Sequence, residues 1–311
     1  MSGVITTGSY PKCLWPGLNR LFGHQYNEYD PEWKALYEIS SSSKNYEEDL
    51  SLSFFGLAPQ KSEGNSIAYD TSKQVFVTRY IHKVYALGFT ITREEINDNL
   101  YAEVAPARTR GLAFSHHQTQ EHLGAAPFNK AFSTDPQDSG GDGVSLCNAA
   151  HPLEGGTFAN VPTNSAGVLQ GVDVSEAAFE QAIIDIGDFR DNRNLRIKIL
   201  PRKVAIPYNL QFDVERILGN PNRPLTADRD INAMYKLGAF PEGYVVNHFF
   251  EDPNAWFILT ACPVGMRYFE REPIQFESDN DFDTKNGKYS ATIRYSFGWS
   301  DPRGIYGSPG A

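Results

Sequence analysis

A mixed α+β fold is predicted by three patterns in the sequence. Residues 92–132 read as one long helix. Runs around 50–54, 75–85 and 289–299 alternate apolar with polar residues, as half-buried strands do. Between 134 and 262, helix and strand patterns follow one another as a compact block.

Residues 1–46 hold few helical or strand periods but many large rings, among them Tyr10, Trp15, Phe22, Tyr26, Tyr29, Trp33 and Tyr37. Disordered tails are poor in aromatics. This arm is therefore expected to dock, either on its own domain or across a neighbouring subunit; on the second reading, deleting residues 2–39 spares the fold and abolishes assembly. In 47–91, Leu50, Leu52 and Phe54 alternate with Ser51 and Ser53. Gly56, Pro59 and Gly64 then punctuate, and a β-rich run follows from Val75 to Tyr85. The pattern predicts a long two-stranded excursion, and because an isolated hairpin is marginal in water it needs a second surface to lie on.

Thr92 and Glu95 form a capping box, each side chain taking an orphan amide of the first helical turn. Ile96, Leu100, Val104 and Ala107 then recur at helical steps, with Arg93, Asp98, Arg108 and Arg110 off the stripe, which continues more weakly through Gly111, Leu112, Leu123 and Ala126. Proline costs about 3 kcal/mol inside a regular helix, so a bend is expected at Pro106 and a bend or an end at Pro127.

Gly140, Gly141, Asp142 and Gly143 predict a turn, and Asp173 or Ser175 opens a helix through Ala178, Phe179, Ala182, Ile183 and Ile186. Leu195, Ile197 and Ile199 predict a strand ended by Pro201. Asn209 is placed to cap a short helix carrying Phe212, Ile217 and Leu218. Two apolar strands, 244–250 and 255–262, flank a turn at Glu251-Asp252-Pro253-Asn254. The cleanest strand sets Tyr289, Ala291, Ile293, Tyr295, Phe297 and Trp299 on one face.

At 311 residues, with 41% hydrophobic and 13% aromatic composition, the chain can bury a large core and divide into two subdomains. A formal charge of −10 and the lack of a basic stripe argue against a surface that wraps nucleic acid. Cys13, Cys147 and Cys262 are odd in number and far apart, which suits a reducing cytosol and neither a disulfide framework nor a zinc knuckle. No signal-peptide core and no apolar run of membrane-span length is found.

Four groups have residue types suited to chemistry. Cys147 and His151 have the residue types of a nucleophile and its base, but with no charged orienter beside them a packed cysteine and a turn histidine are expected, both replaceable. His116, His117 and His122 do not share one helical face, as metal-binding pairs at a spacing of four would. Glu277, Asp279, Asp281 and Asp283 lack the glycine and closing glutamate of a calcium loop and predict a solvated hairpin turn. The glycines at 140–143 lack the lysine and following hydroxyl of a phosphate loop. No catalytic residue, metal or cofactor is expected.

Several motifs carry a resemblance. They are Tyr10-Pro11-Lys12 through Leu18, with Leu21-Phe22-Gly23, Tyr26, Tyr29 and Glu32-Trp33; Asp142 through Cys147 with Ala150-His151-Pro152; and the ending from Tyr295 to Pro309. Across almost its whole length the chain resembles the major capsid (major head) proteins of tailed bacteriophages, most of all the Mu-type major head subunits, which share the Hong Kong ninety-seven fold. The resemblance implies an N-terminal arm (1–46), an extended loop with its return strand (47–91), a peripheral domain with the spine helix (92–133 and 263–311) and an axial domain (134–262). It implies a structural protein of the virion that self-assembles into hexamers and pentamers, in the host bacterial cytoplasm, as an icosahedral head. Scaffold, portal and possibly cement proteins would be its partners, and it would enclose double-stranded DNA without sequence-specific binding and without a membrane. Subunit-interface residues are then expected among Trp15, Phe22, Tyr26 and Trp33 of the arm and Phe54, Phe55 and Tyr69 of the loop. Two other readings stay open at this point, a tail-tube or adaptor protein of the same virion and a soluble cysteine hydrolase.

Overall fold

The computed structural model describes residues 11–97, 101–221 and 231–311, excluding the side chains of 11–16, 96–97 and 101–103. Of the positions named above, Tyr10, Asp98, Leu100 and the side chains of Cys13, Trp15 and Ile96 lie outside the described residues. The first half of the chain forms α1 (Pro11–Tyr26), β1 (Glu38–Ser41), β2 (Tyr46–Leu52), β3 (Gln74–Ile81), β4 (Lys83–Ile91), α2 (Arg93–Asn97), α3 (Tyr101–Asn129), β5 (His151–Leu153) and β6 (Gly156–Phe158). The second half forms α4 (Glu176–Gly187), β7 (Pro201–Pro207), α5 (Gln211–Leu218), α6 (Ala233–Leu237), β8 (Tyr244–Asn247), β9 (Trp256–Thr260), β10 (Met266–Asn280), β11 (Gly287–Trp299) and β12 (Ile305–Ser308).

Two four-stranded sheets organise these elements. The first has the order β1-β10-β11-β4, antiparallel except that β1 runs parallel to β10. Its backbone is the long β10–β11 hairpin. As the alternation requires, Ala291, Ile293, Tyr295 and Trp299 of β11 are buried. The acidic cluster lies at the hairpin's solvated tip, where the Lys288 ammonium 2.8 Å from Asp281 holds that carboxyl down at about 2. The run from Val75 to Tyr85 is two strands and not one. It breaks at buried His82, whose ring meets the hydroxyls of Ser296 (3.0 Å) and Ser42 (3.1 Å), so β3 pairs with β2 while β4 joins the sheet.

The capping box forms as expected, with Glu95 N–H donating to Thr92 Oγ1 (3.2 Å) and Thr92 N–H to Glu95 Oε2 (3.0 Å). It opens the short α2. The long α3 starts afterwards, continues through Pro106 and Pro127 and ends at Asn129. Its buried stripe is not the expected one. Val104 is half-buried and Ala107 exposed, while Ala105, Thr109, Leu112, Ala113, His116, Gln120, Glu121, Ala125 and Phe128 face inward. Small and polar residues let α1 and the first sheet come close to the helix, and hydrogen bonds satisfy Thr109 and Gln120. Thr109 donates to the Ala105 carbonyl (2.8 Å), and Gln120 accepts from the Tyr26 hydroxyl.

The arm also departs from expectation, because α1 is a regular helix packed along α3 on the same chain. Phe22 stacks on Phe276 (4.8 Å between centroids) and is 2% exposed. Trp33 is 3% exposed, wedged against Tyr268 (4.3 Å) and Phe297 (5.2 Å). Opposite it α3 carries Gly124, where a Cβ would stand 2.6 Å from the Trp33 Cβ. Glu121 of α3 accepts the N–H groups of Glu32 (2.8 Å) and Trp33 (3.3 Å). Own-domain docking therefore holds for these residues, and an arm that lends Phe22 and Trp33 to the core is expected to contribute to folding.

The second sheet has the order β12-β9-β7-β8, with β8 parallel to β7 and the other pairs antiparallel. Ser175 caps α4 through its Oγ to Ala178 N–H (3.1 Å), and Phe179, Ala182 and Ile186 pack with Val204, Ile206, Trp256 and Ile258. Residues 195–199 are not a strand. Their amides serve a turn, Leu195 N–H bonding Asp191 Oδ1 (2.8 Å) and Ile197 N–H bonding the Phe189 carbonyl (3.0 Å). Asn209 is not a cap, since it sits inside a single 3-10 turn, and α5 buries Val214 and not Phe212. The last strand, β12, pairs with β9, so the chain's end leaves the long hairpin for the second sheet.

Candidate assembly surface

Between β2 and β3 the chain makes an irregular excursion, 53–73, whose neck is pinned and whose tip is bare. Ser53 is buried at the neck. Its N–H reaches the Lys73 carbonyl (2.8 Å), and its Oγ accepts from Lys73 N–H (3.0 Å). One step out, Asp70 accepts from Gly56 N–H (2.8 Å) and Thr71 N–H (2.8 Å) and from both arms of the Arg193 guanidinium (2.6 and 3.1 Å). That guanidinium, with the two amides, holds the Asp70 carboxyl at about 2.

On both sides of this clamp the loop turns its large apolar groups to solvent. Phe54 is 70% exposed, Phe55 63% and Tyr69 93%, and Leu57 and Ile67 are exposed too. Of the expected interface residues, then, these three rings are free to meet another molecule. Phe22 and Trp33 are spent on the chain's own core, and Tyr26 is half-buried with its hydroxyl on Gln120. The burial has one cause, which is that α3 and the first sheet give the arm's rings a partner surface within the subunit. Leu57 and Ile67 were missed although both are apolar residues in a polar, glycine-punctuated stretch. The Asp70–Arg193 pair spans 123 residues and left no local signal.

The remaining candidates resolve into packing. Cys147 is buried, its sulfur 2.9 Å from where a Cβ on Gly307 would stand, and burial pushes its thiol well above the ordinary range, so it is not a thiolate. His151 is no turn residue. Its Nδ1 lies 2.6 Å from Asp142 Oδ2, its Nε2 lies 3.0 Å from Asn160 Oδ1, and its face stacks on Phe158. Asn160 is fixed in orientation because its Nδ2 donates to the carbonyls of Leu146 (2.8 Å) and Pro302 (3.0 Å). Both ring nitrogens of His151 are thus engaged by Asp142 and Asn160, and neither is paired with Cys147. The charged orienter that the sequence did not reveal, Asp142, is present, but it builds a buried ion pair and not a catalytic dyad.

The three helical histidines do not converge. His116 is buried, His117 lies 3.7 Å from Glu121, and His122 meets the edge of Phe249. Among the described residues no group of three or more His, Cys, Asp and Glu is placed to hold a metal ion, and no helix is long and apolar enough to cross a membrane. The glycines at 140–143 form the expected turn. Gly140 is required there because a Cβ would stand 2.0 Å from the Trp299 ring.

Comparison with known proteins follows the same direction. A family model described as phage capsid protein matches residues 76–308. No curated protein matches the sequence. Among solved structures, the virus-like particle from Pyrococcus furiosus is 11% identical with a TM-score of 0.52, over 94% of this chain and 97% of that one. The capsid of Myoviridae phage XM1 is 12% identical with a TM-score of 0.51, over 88% and 90%. The procapsid of bacteriophage JBD30 is 11% identical with a TM-score of 0.50, over 97% and 76%. At such identities the likeness is one of fold.

Proposed function

The chain belongs to the phage capsid protein family and is a structural major capsid protein; on that premise we propose that its copies join as hexamers and pentamers and close into an icosahedral head around double-stranded DNA. The carrying observation is the 53–73 loop, which presents Phe54, Phe55 and Tyr69 to solvent on a pinned neck. Among the described residues these rings have no ring partner, and they are suited to lie on a neighbouring copy, where burial of each returns about 2–5 kcal/mol.

In the terms of the Hong Kong ninety-seven fold, the arm is 1–46, the extended loop and return 47–91, and the peripheral domain 92–133 with 263–311. The axial domain is 134–262, to which β12 adds its strand. The likeness to Mu-type subunits narrows the family further on its sequence motifs. The role is non-enzymatic, in keeping with a His151 ring whose two nitrogens are engaged by Asp142 and Asn160. Scaffold, portal and cement proteins are its partners during assembly in the host bacterial cytoplasm. A net charge of −10 suits a container that does not grip its genome.

Expression of the chain alone, followed by sedimentation and electron microscopy, tests this. Closed shells are the expected product. Tubes or flat rings point to a tail or adaptor protein, and dispersed monomers with a thiol-dependent turnover point to a hydrolase; either result overturns the proposal.

A further inference from the structure

We propose that the turn at 188–196 is a bracket that sets the neck of the 53–73 loop before a neighbouring subunit arrives, with Arg193 as its positioning residue. The inference rests on the loop reading above and assigns the regulation of that same surface.

The bracket is rigid by construction. Asp191 Oδ1 accepts from the N–H groups of Arg193 (2.9 Å) and Leu195 (2.8 Å), the Asp191 N–H bonds the Leu195 carbonyl (2.8 Å), and Asn194 takes a left-handed φ of 65° to close the turn. It is bolted to the core by Arg303, which is buried over the Phe158 ring. Arg303 Nε donates to the Arg190 carbonyl (2.6 Å) and one terminal nitrogen donates to Asn192 Oδ1 (2.7 Å). Asn192 in turn donates from Nδ2 to Ser51 Oγ (3.0 Å), on the last turn of β2 before the loop.

From this support the Arg193 side chain reaches out. It grips both oxygens of Asp70 and the Thr71 carbonyl (2.5 Å), while Asp70 ties back Gly56 N–H. Both ends of the tip, 56 and 70, are thereby held by one guanidinium. Among the described residues, 57–69 make no hydrogen bond to the rest of the chain, only the Asn65–Ser62 turn within the tip. Without the bracket the nearest polar ties of the tip are those of Ser53 to Ser72 and Lys73 at the neck.

Arg193 and Asp70 lie at the surface, where an ion pair adds little to global stability. Their effect is local ordering, and a segment held in its bound geometry loses less freedom on association. The fork matters as well as the charge, because only a guanidinium meets both carboxylate oxygens at once.

The test compares Arg193→Ala, Arg193→Lys and Asp70→Asn with the unaltered chain. The readouts are chymotryptic cleavage at 54–69 in unassembled subunits, thermal midpoint, and rate of shell formation. Expected for Arg193→Ala are cleavage on the order of tenfold faster and an assembly half-time on the order of tenfold longer, with an intermediate effect for Arg193→Lys and an unchanged midpoint. Unchanged cleavage in Arg193→Ala, or a midpoint that falls in step with cleavage, overturns the bracket. A tip variant with Phe54, Phe55 and Tyr69 all changed to serine separates the two proposals. If it assembles at the normal rate, the loop reading itself fails. If it fails to assemble while Arg193→Ala behaves normally, only the bracket does. The cleavage measurement decides the bracket in either case.

Discussion

Changing His151 to alanine is expected to destabilise the unassembled subunit by about 3–5 kcal/mol, the range for breaking a buried ion pair by removing one partner. The magnitude follows from what is left behind. Asp142 and His151 are both almost wholly buried, and their 2.6 Å contact is the ring's closest. Alanine removes that contact, the 3.0 Å bond to Asn160 and the stack on Phe158, and it leaves the Asp142 carboxylate without its counter-charge. For a chain of this size the thermal midpoint should fall by roughly 6–10 °C. The decisive assay is a double-mutant cycle in urea with Asp142→Asn. Removing the charge that alanine strands should make the double variant at least about 2 kcal/mol more stable than the sum of the singles requires. Additive losses, or a His151→Ala midpoint within a degree of the original, would refute the ion-pair reasoning. A fully stable variant that had lost a turnover would revive the catalytic one.

Two further outcomes are expected. Burial raises the Glu121 carboxyl to about 7, so between the ordinary 4.5 and 7 the folded chain holds a proton that the unfolded chain has released. Its contribution to stability is therefore full at low pH and is lost as pH rises through that window. Burial lowers His116 and His117, which gives the opposite slope near 6.5, so the difference between the original and Glu121→Gln isolates the carboxyl. The variant should lose less stability between pH 5 and 8, and an unchanged pH profile by thermal melting would contradict this. Trp33→Ala should cost about 3–5 kcal/mol as a core truncation, and deleting residues 2–39 should unfold the chain by circular dichroism. A truncated chain with native spectra would restore the arm to a purely intersubunit role.

What could be seen in the sequence were features written in local order. The alternation of β11, the Thr92–Glu95 box, the Ser175 cap and the hairpin tip near Asp281 each depend on residues within a few positions of one another, and each forms. The family was legible too, because its motifs recur along the chain. α1 was not, since Pro16, Gly17 and Gly23 weaken a helix that tertiary packing on α3 enforces. Nor was the buried face of α3, where Ala105, Thr109, Ala113 and Gln120 carry no apolar stripe because close approach, and not side-chain bulk, decides which residues fit there. The burial of Phe22 and Trp33 within the subunit was hidden for the same reason. Asp142 was in view as part of a glycine turn, yet only the folded chain brings it to His151.

The assembly claim is tested most directly by hydrogen exchange of residues 54–69 in free subunits and in purified shells. In free subunits this stretch should exchange almost at the rate of an open chain, because its amides past the neck have few partners and Phe54, Phe55 and Tyr69 lie in solvent. In shells it should be strongly protected while the second sheet, already buried in the subunit, changes little. Equal exchange in the two states would mean that the loop engages no neighbour.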